Sequence, residues 1–355
     1  MPKFFEKTAF IFIAPVFVFT AAVLPFSCNL SKDGGIFRSD DFGITWQQKV
    51  KINAKQDIGR MGVLSLAIDN TRPNILFMGT QGNSIYKSEN EGETWQQLSD
   101  KNNVLYKLAY VYDIEVDNKN TNYIFAAVLQ NSFGMLLRSQ DGGASWQEGY
   151  VISKKGAAVT AVQADSRNEG FLYIGTSEGG LLKSMDYGSS WQSLKWFGSG
   201  ISDIKIDPKN SQIIYANTEN NGLQKSSDFG QTWQELPLGA KDFLGTKKAI
   251  GFVIDSRDSR ILYAALADAI MKSTDGGQSW QSLNILMPES STAISAIVQD
   301  QLNPETIYYT AGSVFYRSAN SGQTWTTQQI PTARKIQLIK VDPMSSNLIY
   351  VGTSD

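Results

Sequence analysis

The chain has 355 residues, 42% of them hydrophobic, which is enough apolar material for a large core and excludes a disordered chain. Its net charge of −2 gives no whole-chain argument for nucleic acid, and we expect no nucleic-acid partner. The sequence contains no histidine, which excludes Ser-His-Asp and Cys-His catalysis and histidine-ligated zinc. Cys28 is the only cysteine, so no internal disulfide can form, and we expect no metal and no cofactor.

Residues 1–28 are expected to direct the chain to a membrane. Two lysines precede an apolar run, residues 8–26, and Cys28 follows it closely. This order resembles a bacterial lipoprotein signal, whose cleavage would leave Cys28 as the lipidated N-terminus. The resemblance is incomplete because Pro25 stands where such signals usually carry leucine.

An uncleaved anchor is the alternative, since about 19 apolar residues can span a bilayer. A buried globular helix is disfavoured by Pro15 and Pro25. Both membrane interpretations predict an extracytoplasmic, membrane-anchored protein, with residues 29–355 as the folded domain.

An eight-residue motif with invariant Ser, Gly and Trp occurs seven times, with starts 42 to 51 residues apart. Its third position is always Asp or Asn, and its seventh is Thr or Ser. The copies are SDDFGITW (39–46), SENEGETW (88–95), SQDGGASW (139–146), SMDYGSSW (184–191), SSDFGQTW (226–233), STDGGQSW (273–280) and SANSGQTW (318–325). A period of this length indicates a repeat architecture.

Each copy is preceded by an alternating strand that ends in Asp, a polar turn and an apolar strand, as in residues 204–218. The strand-ending aspartates are Asp69, Asp117, Asp165, Asp207, Asp255, Asp300 and Asp342. The sequence pattern of each repeat therefore predicts four strands in the order A, B, C and D. A turn joins A to B, a short turn joins B to C, and the eight-residue motif forms the turn between C and D. Four strands in about 45 residues make one propeller blade.

The two ends of the sequence predict a closed ring. The C-terminal residues 341–355 supply strands A and B, whereas the chain after Cys28 begins at strand C. Joining the two ends reproduces the internal segment 173–184 almost residue for residue. We therefore predict an all-β, seven-bladed propeller of four antiparallel strands per blade, whose last blade contains both termini.

These repeats resemble the BNR/Asp-box families, which include sialidases, xyloglucan-active hydrolases, the Vps10/sortilin ectodomain and photosystem II assembly-factor propellers. The resemblance covers residues 33–355. A single propeller behind a lipoprotein-like signal is most similar to the assembly-factor group, which implies a non-catalytic role. The families share the repeat and not the chemistry, so the resemblance predicts the fold more specifically than the function.

The motif side chains are interpreted as structural. Asp and Ser can accept backbone amides of their own turn, Gly permits positive φ, and Trp packs between blades. The structural residues are Asp41, Asn90, Asp141, Asp186, Asp228, Asp275 and Asn320, with Trp46, Trp95, Trp146, Trp191, Trp233, Trp280 and Trp325. A Lys or Arg before each motif is interpreted as a solvated outer-strand cation rather than part of a polyanion-binding belt.

The loops that join strand D to the next strand A vary in sequence, and together with the B–C loops they should line one face of the ring. We call this the upper face. Its D–A loops carry 14 cations: Lys49, Lys51, Lys55, Arg60, Lys101, Lys107, Lys154, Lys155, Lys195, Lys241, Lys247, Lys248, Arg334 and Lys335. They carry six acids: Asp57, Asp100, Glu148, Glu235, Asp242 and Glu289. A basic upper face and an acidic lower face are therefore expected.

Aromatic side chains in the same loops are candidate contacts for a partner. Trp196 is the only tryptophan outside the motifs, and it lies between Lys195 and Phe197. Tyr106, Tyr110 and Tyr112 are assigned to the preceding long loop. The alternative is that Trp196 only caps the mouth of the ring. The predicted binding set combines these aromatics with Lys154, Lys155, Lys195, Lys247, Lys248, Arg334 and Lys335.

Polar residues of strand A are expected in the central channel: Asp113, Glu115, Gln163, Asp203, Lys205 and Lys340. Asp113 and Asp203 occupy equivalent positions and, with Glu115, are the only candidates for acid/base chemistry, which needs carboxyl groups about 5–9.5 Å apart. The alternative is that these residues solvate a water-filled channel. A sialidase is disfavoured because no arginine triad can be assembled on the upper face.

The predicted function is therefore a membrane-tethered, monomeric module that binds a protein with an acidic surface. A surface glycan-binding protein or glycoside hydrolase is the alternative.

Overall fold

The computed structural model describes residues 32–238, 248–287 and 292–354. Cys28 and Lys247 lie outside these ranges. The strands of the described residues form seven four-stranded antiparallel sheets arranged as blades around a central channel. This arrangement confirms the predicted all-β propeller, and the alternation of apolar segments with polar turns in every repeat is its cause.

The innermost strands, which correspond to strand A of each repeat, surround the channel. They are β3 (Val63–Ile68), β7 (Tyr110–Val116), β11 (Val159–Ala164), β15 (Ile201–Ile206), β19 (Gly251–Ile254), β23 (Ile294–Gln299) and β27 (Ile336–Asp342). The second strands are β4 (Leu76–Thr80), β8 (Ile124–Gln130), β12 (Leu172–Thr176), β16 (Ile214–Thr218), β20 (Leu262–Ala265), β24 (Ile307–Ala311) and β28 (Ser345–Thr353).

The third strands precede the Asp-box turns. They are β1 (Ile36–Ser39), β5 (Ile85–Ser88), β9 (Phe133–Ser139), β13 (Gly180–Ser184), β17 (Gly222–Ser226), β21 (Ile270–Ser273) and β25 (Val314–Ser318). The outermost strands are β2 (Gln47–Gln48), β6 (Gln96–Gln97), β10 (Gln147–Val151), β14 (Gln192–Trp196), β18 (Gln234–Glu235), β22 (Gln281–Ser282) and β26 (Thr326–Gln329).

The blade formed by β3 to β6 is called blade 1, and the numbering follows the chain. Blade 7 therefore contains β27, β28, β1 and β2. Blade 7 closes the ring, because its strand order β2-β1-β28-β27 joins the two ends of the described chain. Ile36 pairs with Gly352 and Phe37 with Val351. The Gly35 amide also donates to the Thr353 hydroxyl at 2.8 Å. The predicted closure is thus confirmed by strand register.

The core is divided among the interfaces between neighbouring blades. In the described residues seven hydrophobic clusters occur, one at each interface around the ring. The cluster between blades 2 and 3, for example, contains Phe125 and Leu136 from one side and Val162 and Leu172 from the other. Because each blade buries its faces against two neighbours, closure of the ring is needed to cover them all.

The turns between the first and second strands share one structural device. The seven strand-ending aspartates are all buried. The Asp69 carboxylate accepts the amides of Thr71 and Arg72 at 2.9 and 3.0 Å, which closes the turn. The same bonds recur in the other blades. These buried carboxylates therefore accept backbone amides that would otherwise be unpaired.

Candidate functional site

The Asp-box turns use their polar atoms internally. The Ser184 hydroxyl accepts the Gly188 amide at 2.8 Å, and Asp186 accepts the Ser190 amide and hydroxyl at 2.8 and 2.6 Å. The bonds from Ser190 lower the pKa of Asp186 to about 2. Gly188 has φ +78°, which a side-chain-bearing residue rarely adopts.

In the other boxes with an aspartate, this side chain likewise accepts the hydroxyl of the first serine and the amide of the seventh residue. These aspartates are Asp41, Asp141, Asp228 and Asp275. Asn90 and Asn320 accept the same amides and donate to their threonines. These side chains therefore have little capacity left for a ligand. The box tryptophans are not equally buried: Trp46, Trp95 and Trp146 are buried, whereas Trp191, Trp233, Trp280 and Trp325 are partly exposed.

Three of the cations before the boxes, Arg38, Lys183 and Lys225, are less solvated than the sequence suggested. The Arg38 guanidinium is 9% exposed and donates to the Glu91 carbonyl of the next box at 2.8 Å. Lys225 donates in the same way to the Gly276 carbonyl, and Lys183 lies over the Phe229 ring of the next box at 5.1 Å. They reach across because the third strand faces the neighbouring Asp-box loop, and they therefore join adjacent blades.

The carboxylates of β7 bind the free edge of the next blade. Asp113 Oδ2 accepts the Val162 amide at 2.9 Å, and Glu115 Oε1 accepts the Ala164 amide at 3.2 Å. Glu115 also accepts the Gln163 side-chain amide at 2.8 Å. Since β11 is the inner edge strand of blade 3, these acids satisfy donors that no other strand reaches.

Burial raises the pKa of Asp113 to about 6, although the Val162 amide opposes the shift. Burial, with the nearby Asp113 charge, raises the pKa of Glu115 to about 8. Glu115 is therefore largely protonated at neutral pH, and as an acid it can still accept both amide hydrogens.

The third channel carboxylate forms an ion pair. Asp203 Oδ2 lies 3.2 Å from Lys205 Nζ, and their side chains remain 31% and 33% exposed to the channel water. Burial opposes the charged form of Lys205, but Asp203 outweighs it and the pKa of Lys205 is raised. Lys340 contributes a second positive charge that acts on Asp113 and Glu115. A cavity of about 320 Å³ at the lower mouth is lined by Gln163, Lys205 and Lys340 among others.

The channel is thus polar, as predicted, but its acids are already bonded. Asp113 and Glu115 are held by amides of blade 3, and Asp203 is neutralised by a lysine. A general acid/base pair needs carboxyl groups that can reach a substrate oxygen and exchange a proton with it. Within the described ranges, no three acidic or cysteine side chains are grouped so that they could hold a metal ion.

The candidate aromatic residues of the upper face differ in position and exposure. Trp196 is 61% exposed and is the last residue of β14, not a loop residue, because it pairs with Gly180. Phe197 turns inward against the Trp233 ring, with centroids 5.2 Å apart. Tyr110 and Tyr112 belong to the inner strand β7 rather than to the long loop, and Tyr110 is 41% exposed.

The loop before β7, residues 98–109, is preorganised. Asp100 accepts the amides of Val104 and Leu105 at 2.5 and 2.8 Å and that of Trp146 in the next box at 3.0 Å. Gln130 accepts the Tyr106 amide at 3.0 Å. The braced loop presents Tyr106 and also Leu108, which is 75% exposed and was not predicted.

The cations of the upper face are only partly available. Lys195, Lys248 and Lys335 are exposed, and exposed Lys155 lies 5.9 Å from the centre of the Phe133 ring. Lys154 pairs with Glu178 at 2.6 Å and Arg334 with Asp33 at 3.3 Å. Lys49 is 9% exposed and bonds Glu93 of a box, so it does not belong to this face.

The sequence count omitted the acids of the B–C connections, which line the same face. Glu148 and Glu235 lie beside the boxes, in β10 and β18, and do not belong to the upper face. The described connections of the upper face, together with Lys195 next to the upper end of β14, contain twelve cations and six acids, a net charge of +6. The cations are Lys32, Lys51, Lys55, Arg60, Lys101, Lys107, Lys154, Lys155, Lys195, Lys248, Arg334 and Lys335. The acids are Asp33, Asp57, Asp100, Glu178, Glu219 and Asp268.

No helix in the described part of the chain is long and apolar enough to cross a membrane. Residues 36–49 match the BNR-Asp box repeat model. Xyloglucanase Xgh74A from Acetivibrio thermocellus is 30% identical over 148 residues, which cover 35% of this chain and 18% of the xyloglucanase. The chain thus spans about a fifth of the length of that curated relative.

Solved structures of two kinds resemble the ring. A GH74 xyloglucanase from Xanthomonas campestris has a TM-score of 0.69 at 16% identity, with 86% of this chain and 52% of that chain covered. YCF48 from Cyanidioschyzon merolae has a TM-score of 0.63 at 12% identity, with 82% and 96% covered. YCF48 bound to D1 peptide has a TM-score of 0.62 at 16% identity, with 83% and 94% covered.

These identities establish the fold and not the activity. With the repeat, the seven sheets and the closure in agreement, the chain is a seven-bladed propeller whose eight-residue motif recurs seven times, and its first copy lies in a segment that matches the BNR-Asp box repeat model.

Proposed function

We propose that this protein is a membrane-tethered, extracytoplasmic propeller that binds protein partners through its upper face and assists the assembly of a complex at or in the membrane. The observation that carries this proposal is the exposure of Trp196, Leu108 and Tyr106 on braced strand ends and loops of a basic face. Exposed aromatic and apolar side chains on a rigid support are typical of protein-binding surfaces. Partners with an acidic surface would complement the net charge of +6.

The comparisons support this function in one respect. The ring of this chain covers 94–96% of the YCF48 chains, and one YCF48 structure contains a bound D1 peptide. Peptide binding is therefore compatible with a lone ring of this architecture. The proposal for this chain rests on its own upper face, since the identity is only 12–16%.

Affinity capture from solubilised membranes tests the proposal. The full chain should capture one or a few proteins, and a variant with Trp196→Ala and Lys195→Glu should lose them. Met185→Ala is the matched control, because Met185 is 59% exposed in a box on the lower face. If the double variant retains the same partners as the control, the upper face is not the binding surface.

A glycan-binding or glycoside-hydrolase function is the second candidate, favoured by the 30% identity to the xyloglucanase. The double variant Asp113→Asn and Asp203→Asn separates the two functions. Turnover of a polysaccharide by the unsubstituted chain, lost in the double variant, would support the hydrolase. Absence of turnover together with unchanged partner capture would support the binding module.

A further inference from the structure

The N-terminal segment leaves the ring at the upper face. Asp33 and Gly34 belong to the connection before β1, and they lie between two D–A loops. Asp33 accepts the Ala333 amide at 2.9 Å, and the Gly34 amide donates to the Gly59 carbonyl at 2.9 Å. Lys32 is exposed at the edge of this contact and pairs with Asp57 at 3.1 Å. The chain before Lys32 is therefore attached to the face that also carries Trp196 and Leu108.

The distance from the apolar run to the ring is short. An extended chain from Phe26 to Lys32 spans about 21 Å, and one from Cys28 to Lys32 spans about 14 Å. This step rests on the proposed membrane attachment. Whether the run spans the bilayer or Cys28 carries a lipid, the upper face is held within a short distance of the headgroups.

The exposed side chains of this face suit a lipid interface. Leu108, Tyr106 and Tyr110 belong to the connection between blades 1 and 2 and the start of β7, Val151 ends β10, and Trp196 ends β14. Their exposed fractions run from 41% for Tyr110 and Val151 to 75% for Leu108. They thus form an arc over three consecutive connections. Tyr and Trp prefer the boundary between headgroups and acyl chains, where one end is apolar and the other wet.

The charges of the two faces favour the same orientation. Among the residues that the structure describes, Lys101, Lys107 and Lys195 make no ion pair and are exposed next to the apolar arc. Anionic headgroups attract lysines at this position. The seven box turns on the lower face contain nine acidic residues and no basic ones between Ser and Trp, so an anionic membrane would repel that face.

We infer that the upper face lies against the bilayer surface, with Leu108, Tyr106, Tyr110 and Trp196 in the lipid interface and the neighbouring lysines at anionic headgroups. The tether places the face near the membrane, and the apolar arc fixes its orientation. A protein partner of this face is then one that is itself exposed at the membrane surface.

Lipid-borne quenchers test the orientation in the full chain, reconstituted without any partner protein. Leu108→Cys and Met344→Cys each carry an environment-sensitive fluorophore. Met344 is the matched control, because it is 64% exposed in a lower-face turn. The unsubstituted chain gives the background from Cys28. The vesicles contain phosphatidylcholine with or without phosphatidylserine and a spin label at a shallow acyl position.

We expect the probe at position 108 to be quenched several times more strongly than the probe at position 344, and more strongly with phosphatidylserine. Equal quenching at both positions, stronger quenching at 344, or none at either would overturn the inference. A probe at 108 that responds only when membrane proteins are added would identify a protein surface instead, and would also overturn it. Because partner capture is measured separately, retention of the captured proteins by the Trp196→Ala and Lys195→Glu variant would refute the proposed function without affecting this result.

Discussion

Protonation of Glu115 should make the stability of the ring depend on pH. Burial raises the pKa of Glu115 from its ordinary value of 4.5 to about 8 in the folded protein. Between these values the folded state binds more protons than the unfolded state. The free energy of unfolding must therefore fall as pH rises through this window, by at most about 1.4 kcal/mol for each pH unit.

The size of the effect follows from the pKa and from the water in the channel. A full shift from 4.5 to about 8 corresponds to about 5 kcal/mol. Channel water solvates the ionised carboxylate and reduces this penalty, so we expect about 2 kcal/mol between pH 5 and pH 9. Asp113, with its pKa raised to about 6, adds a smaller loss at the acidic end of the window.

Glu115→Gln isolates this contribution. Its carbonyl oxygen can still accept the Ala164 amide and the Gln163 side chain, but it cannot ionise. At pH 5 the variant should match the unsubstituted protein within about 0.5 kcal/mol, and at pH 9 it should be about 2 kcal/mol more stable. Urea denaturation at a series of pH values measures both. Glu148→Gln is the control, because Glu148 is exposed on β10 and should leave the profile unchanged.

An unchanged pH profile in Glu115→Gln would refute the reasoning, because it would mean that Glu115 ionises as readily in the channel as in water. A variant that is less stable at every pH would indicate that the amide cannot replace the acid in its bonds to blade 3. That result would support the structural role of the residue, and the change of the difference with pH would still report its protonation.

Three further substitutions test the packing of the ring, each by the midpoint of urea denaturation. Asp186→Ala should cost about 1 kcal/mol, since it removes the acceptor of the solvent-exposed amides of its box, whereas Asp186→Asn should cost less. Gly43→Ala should cost about 3 kcal/mol, because φ is +87° and a Cβ would lie 2.2 Å from the Phe315 ring. Thr353→Val removes the acceptor of the buried Gly35 amide and should cost about 1–2 kcal/mol; no loss would show that this bond does not hold the closure.

The fold could be predicted because the sequence of each repeat marks where its strands and turns begin and end. Each strand-ending aspartate and each Ser-to-Trp box marks a turn, and the alternation between them fixes which residues face the core. The closure followed from the same register, since the segment at 349–353 continues into 36–39 as an internal repeat would. The channel position of Asp113 and Asp203 also followed from strand register alone.

Bonding partners could not be predicted in this way, because they depend on the neighbouring blade. The cations before the boxes looked solvated in sequence, yet Arg38 reaches the next box and is almost completely buried. Tyr112 was assigned to a loop, but it lies at a bulge between Val111 and Asp113 that recurs in the inner strands. Leu108 carried no signal beyond its apolar type in a polar loop, and its exposure depends on the bracing by Asp100.

The distribution of bonded and unbonded polar groups limits where a ligand can bind. In the boxes, the A–B turns and the channel, the acids are occupied by amides, hydroxyls or a lysine, so a ligand that binds them must compete with an internal bond. The connections of the upper face have no such cost, because Lys195 and the exposed ring of Trp196 are held by backbone pairing alone. A hydrolase acting through the channel would have to bring a substrate oxygen to Asp113 while that side chain is held by the Val162 amide, whereas a partner can bind the upper face without competing with any internal bond.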